Sequence, residues 1–127
     1  MRVSISSEKF ESIAQEIFDS LPAALQHHIE NVHIVVEDVP RDETRRKVGI
    51  SQGGLLLGLY EGVPLNHRSS AYGTYPVTPD KITLYKNNIE LVSTSLSSLR
   101  ETIRDVLIHE IAHYYGMDEK QVRDAGY

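Results

Sequence analysis

At 127 residues, with 40% of them hydrophobic and 24% charged, the chain has the size and composition of one globular domain with a modest core. A net charge of −5 without any basic block argues against nucleic acid or an anionic membrane as a partner. Cysteine is absent, which excludes disulfides and thiolate ligands and leaves His, Asp and Glu to hold any metal. No apolar run approaches the ~18 residues of a membrane span, and Met1-Arg2-Val3-Ser4-Ile5-Ser6 lacks the apolar stretch of a secretion signal. A cytoplasmic protein with a single domain over residues 1–127 is the expectation.

The first element is predicted as a helix over residues 7–20, capped by Ser7, with Phe10, Ile13, Ala14, Ile17 and Phe18 at helical spacing. Leu21-Pro22 interrupts it, and Pro22 suits the first turn of a short second helix reaching Ile29. His27 and His28 fall there, adjacent and therefore facing apart, and read as surface or boundary residues. Val32-His33-Ile34-Val35-Val36-Glu37 is a β-branched run and is predicted as a strand, with His33 as a packing residue. Residues 40–47 alternate Arg with Asp and Glu and read as a solvated loop or an irregular helix.

Residues 53–62 read as a second strand punctuated by glycines. Gly58 inside it marks a bulge, a relief of packing, or the close approach of another backbone, such as a peptide lying along an exposed edge strand. Residues 63–79 contain Pro64, Pro76 and Pro79 and have no periodicity, so they read as a long loop. That loop carries His67, Arg68, Tyr72 and Tyr75, each of a type able to donate a hydrogen bond to a developing oxyanion. Lys81-Ile82-Thr83-Leu84-Tyr85 is a third strand, for which antiparallel pairing is allowed but not forced, and residues 87–92 form a short helix. Ser98-Leu99-Arg100-Glu101 has the S-x-x-E form of a capping box and opens a long helix, which Gly116 closes in the left-handed cap position.

That last helix carries the chemistry. His109-Glu110-Ile111-Ala112-His113 has the form H-E-x-x-H, and on a helix positions i and i+4 lie one above the other. Two neutral imidazoles so placed can grip one zinc ion, with Glu110 beside them as a carboxylate able to activate water. Stepping 100° per residue from Leu99 puts Ile103, Val106, Glu110 and His113 in one narrow arc, with His109 beside it. Ionisable groups thus continue an apolar, inward-facing stripe, and buried ionisable groups need a partner or a metal. Leu107, Ile108, Ile111, Ala112, Tyr114 and Tyr115 cover the other sides, so the helix should be buried nearly all round. A catalytic zinc site takes a third protein ligand, and the reversal at Gly116 returns Asp118 and Glu119 toward the histidines. Asp118 is suited to cap a following helix with Gln121 at its third position, which leaves Glu119 the freer of the two to reach a metal.

Together with Val35-Val36-Glu37-Asp38, Leu57-Gly58-Leu59-Tyr60-Glu61-Gly62-Val63-Pro64-Leu65 and Ile82-Thr83-Leu84-Tyr85, this segment makes the sequence resemble the small bacterial zincin-like metallopeptidases, or minimal zincins. The resemblance runs from the helix ending near Leu21-Pro22 to the C-terminus. It implies an α+β fold: a short twisted sheet of three or four strands packed beside the H-E-x-x-H helix, with an edge strand above the cleft. It implies the pattern H-E-x-x-H-x-x-G-x-x-D, whose final acidic ligand falls on Glu119, one methylene longer than the family's aspartate. It further implies a peptide or protein substrate, a zinc ion held by His109, His113 and Glu119, and Glu110 as general base. Asp105, one turn before His109, is placed either to orient that imidazole or simply on the surface. The rival reading is a metal-stabilised binding or adaptor module without turnover, which would have no need of Glu110. A third reading keeps the chemistry latent, with residues 63–79 covering the cleft.

Overall fold

In the computed structural model, residues 3–26, 32–48, 55–62, 80–116 and 119–124 are described. Helix α1 (Ser7–Ser20) buries Phe10, Ile13, Ala14 and Ile17 along one stripe. Its cap is Ser6 rather than Ser7: the Lys9 N–H donates to Ser6 Oγ at 3.1 Å, so the hydroxyl one residue earlier satisfies the first turn. The helix ends where Leu21 turns extended (φ −64°, ψ 151°), the conformation that the ring of Pro22 imposes on its predecessor. Helix α2 (Ala23–Gln26) follows, and the rest of the predicted second helix, with His27 and His28, lies outside the described residues.

Strand β1 (Val32–Glu37) is as its β-branched run predicts, except that His33 is exposed instead of packed. The charged stretch after it forms a regular helix, α3 (Asp42–Val48), none of whose residues is buried. Asp42 and Glu43 in its first turn and Arg45, Arg46 and Lys47 in its last oppose the helix dipole at both ends, which lets so polar a segment coil without a core face. Strand β2 (Gly58–Glu61) is shorter than the glycine-flanked run suggests. Strand β3 (Asp80–Tyr85) leads directly into α4 (Lys86–Leu91). Glu90 on α4 is 2% exposed and is satisfied by Lys86 Nζ at 3.2 Å and the Ile5 N–H at 2.8 Å, which ties the N-terminal segment down.

The sheet order is β1-β3-β2, parallel between β1 and β3 and antiparallel between β3 and β2. The parallel pair is possible because the connection from β1 to β3 spans residues 38–79 and includes α3 and β2, ample for a crossover. As the middle strand β3 is buried at five of its six positions, while the partly buried strand β2 forms an edge among the described residues.

Helix α5 (Leu96–Tyr114) lies against the sheet and α1, and Leu99, Ile103, Leu107 and Ile111 meet Phe10, Ile82 and Leu84 in one core. It begins before the predicted Ser98, at a cap formed by Ser95. The Ser98 N–H donates to Ser95 Oγ at 3.0 Å and Ser98 Oγ accepts from the Thr94 N–H at 3.3 Å, one residue before the cap, so Ser98 rather than Glu101 reaches back over the helix start. Among the described residues no helix is long and apolar enough to cross a membrane.

Gly58 marks where α5 and β2 come closest. A Cβ there would stand 2.5 Å from Val106 Cγ1 and 3.6 Å from Glu110 Cγ. The closest approach is made by the Val106 side chain of the helix, with the Thr83 carbonyl of β3 next at 3.2 Å, and the strand runs through in register, Gly58 opposite Leu84, without a bulge. Gly58→Ala should lower stability by about 1–3 kcal/mol, the usual cost of overpacking, read as a lower denaturant midpoint at unchanged slope.

Candidate metal centre

The second half of α5 is enclosed on nearly every side: Val106, Leu107, Ile108, Glu110, Ile111, Ala112 and Tyr114 are all buried. That burial, following from apolar residues on every face of the helix, fixes the turn bearing the two histidines. His109 and His113 are half-buried, with ring centroids 5.0 Å apart and planes at 75°. One potential ligand atom from each of His109, Glu110 and His113 can be chosen so that all lie within 4.8 Å of one another. The helical i, i+4 spacing thus brings together the three groups that the motif singles out.

Glu110 is 8% exposed. Its Oε1 accepts a 2.8 Å hydrogen bond from the Tyr60 N–H of β2, so the carboxylate is gripped by the edge strand across fifty positions of sequence. Tyr60 in turn donates its hydroxyl to Asp80 Oδ2 at 2.8 Å and stands edge-on to Tyr114, with centroids 6.0 Å apart. The end of α5 is pinned as well: the Tyr115 hydroxyl donates to the Leu25 carbonyl at 3.0 Å, and the Gly116 N–H donates to the His113 carbonyl at 2.9 Å. Gly116 has φ 88°, the left-handed cap expected of it, and sends the chain back toward α6 (Glu119–Asp124).

Burial pushes the Tyr85 hydroxyl up to about 12, with the negative charges of Glu37, Glu61 and Glu110 adding to the effect and Arg41 opposing it. Tyr85, the last residue of β3, is thus a neutral hydroxyl at physiological pH.

Of the other predicted site residues, Glu119 opens α6, and its side chain lies outside what the structure describes, as does Asp118 altogether. His67, Arg68, Tyr72 and Tyr75 also fall outside the described residues. Asp105 is exposed, which favours its surface reading. Tyr60 and Asp80 are the residues that sequence reasoning passes over. The Tyr60 contact uses a main-chain N–H, which no side-chain pattern encodes, and Asp80 stands beside Pro79 where an aspartate looks like a turn residue.

The sequence pattern of a family described as zincin-like metallopeptidases matches residues 29–127. Among solved structures, a conserved hypothetical protein from Thermus thermophilus is similar, with a TM-score of 0.57 at 17% identity over 87% of this chain and 94% of that one. No curated protein matches the chain.

Proposed function

The chain belongs to the zincin-like metallopeptidase family, and from that premise we propose that it is a zinc-dependent peptidase acting on peptide or protein substrates. The observation that carries the reading is a buried carboxylate, Glu110, grouped with two imidazoles within 4.8 Å and anchored to an edge strand. The donors fit the ion: two imidazole nitrogens and carboxylate oxygen, with no thiolate, suit a borderline-soft divalent cation. When bound, zinc would supply Lewis-acid polarisation of a water molecule and of the scissile carbonyl.

His109 and His113 would hold the ion, their rings kept in place by the enclosed turn of α5. Glu119, in the first turn of α6 after the reversal at Gly116, is the third ligand in this proposal, as the family pattern implies. Glu110 takes a proton from the attacking water and delivers it to the departing amine nitrogen as the C–N bond breaks. The substrate lies extended along β2, where outward main-chain groups other than the Tyr60 N–H, which Glu110 engages, would hold it without demanding a particular side chain.

The test uses protein stripped of metal by a chelator and then given one equivalent of zinc. Fragments of β-casein, an unstructured substrate, should appear with the zinc-loaded protein and not with the stripped one. Tight zinc uptake with no cleavage of casein or of a mixed peptide library would overturn the peptidase reading in favour of a metal-stabilised binding module.

A further inference from the structure

The carboxylate proposed as general base is held by a strand, and that strand is fastened by side chains outside the metal cluster. Tyr60 stands opposite Ile82 of β3 in a pair that leaves its N–H outside the ladder, where it reaches Glu110 Oε1. The alternation of the antiparallel ladder sets the direction of that N–H, and the clamping of the Tyr60 side chain sets how firmly it is held against α5. The Tyr60 hydroxyl donates to Asp80 Oδ2 at 2.8 Å, and the ring rests against Tyr114, four residues beyond Glu110 on the same face of α5. Asp80 is 2% exposed. A carboxylate at that depth destabilises the fold unless donors engage its oxygens, and the Tyr60 hydroxyl is one such donor. Gly62 leaves room for it, since a Cβ at that position would run into the Asp80 carboxylate.

The geometry points to Asp80 and Tyr60 as positioning residues for Glu110, acting through the Tyr60 main-chain N–H. This inference rests on the peptidase reading given above. A glutamate has three rotatable bonds, and a carboxylate free to turn would occupy the productive orientation only part of the time. A charge-assisted hydrogen bond from a rigid strand selects one orientation before substrate arrives. Asp80 holds the phenol, the phenol steadies residue 60 of the paired strand against α5, and the outward N–H of that residue holds the base. None of these groups needs to touch substrate or metal.

The experiment compares Tyr60→Phe, Asp80→Ala and Asp80→Asn, the last retaining an acceptor oxygen for the phenol. Three quantities are read: hydrogen exchange of the residue 60 amide in metal-free protein, bound zinc, and kcat and KM on fluorescently labelled β-casein. In Tyr60→Phe and Asp80→Ala the residue 60 amide should exchange at least about tenfold faster, approaching its rate in Glu110→Ala. In the same two variants kcat should fall about tenfold, with KM within about twofold and one zinc per chain retained. Asp80→Asn should restore both the exchange rate and kcat. Should Asp80→Ala fail to fold, Tyr60→Phe, which removes one oxygen atom, decides alone. Unchanged amide exchange in Tyr60→Phe overturns the inference, as does faster exchange with unchanged kcat. Absence of cleavage by the wild-type protein would instead remove the peptidase reading, and the exchange rates would then decide by themselves whether Asp80 and Tyr60 hold Glu110.

Discussion

Glu110→Gln should leave folding and zinc content unchanged and lower the rate of peptide cleavage by roughly 10²–10⁴-fold, the range for loss of a general acid-base group. Glutamine is nearly isosteric, and its carbonyl oxygen can still accept the Tyr60 N–H that now holds Glu110 Oε1 at 2.8 Å. What it cannot do is take a proton from water and return it to the amine. The rate loss corresponds to about 3–5 kcal/mol of transition-state stabilisation. The stability cost should be small, because the amide needs less solvation than the carboxylate it replaces in a site 8% exposed. Zinc per chain by atomic spectroscopy, the circular dichroism spectrum and the initial rate on casein measure the three quantities. Undiminished cleavage would place the base on another residue. Loss of zinc together with activity would make Glu110 a ligand and leave the base unassigned.

The elements that the sequence predicts best are those with strong local period. The spacing of Phe10, Ile13, Ala14 and Ile17 and the β-branched run at residues 32–37 mark α1 and β1 with the bounds that the structure has. The same period places Leu99, Ile103, Val106 and Glu110 on one buried face of α5, which is why the core of the candidate site was legible from the motif and its surroundings. Details decided by one or two atoms were not. Ser6 and Ser95 cap their helices where Ser7 and Ser98 were equally plausible by type, since several serines near a helix start offer the same hydroxyl. Non-local relations were the least legible. The parallel pairing of β1 with β3, the pressure of Val106 on Gly58, and the Tyr60 N–H on Glu110 all depend on how distant segments stack. Nothing in the local pattern of residues 53–62 distinguishes a strand pressed by a helix from one that receives a substrate.

His109→Ala and His113→Ala should each weaken zinc binding by roughly 10²–10³-fold, taking the ~10–16 kcal/mol of a four-ligand zinc site as shared about evenly among its ligands. Both rings are half-buried rather than core-packed, so the metal-free variants should melt close to the metal-free parent. The contrast then appears only when zinc is added. An ion that binds the folded chain alone stabilises it according to the logarithm of its concentration over the dissociation constant, about 2.7 kcal/mol at a hundredfold excess over that constant. At a zinc concentration that saturates the parent a hundredfold, a variant weakened a hundredfold loses most of that gain. Thermal midpoints with and without zinc therefore report the ligand set without any knowledge of the substrate. Extending the series to Glu119→Ala and Asp118→Ala identifies the third ligand: the variant whose zinc-dependent shift collapses as the histidine variants do has lost one. Collapse in Asp118→Ala with Glu119→Ala unaffected would move the ligand one residue toward Gly116. A full zinc-dependent shift in both histidine variants would mean that the paired imidazoles of α5 hold no metal, and the peptidase mechanism would have no place to occur.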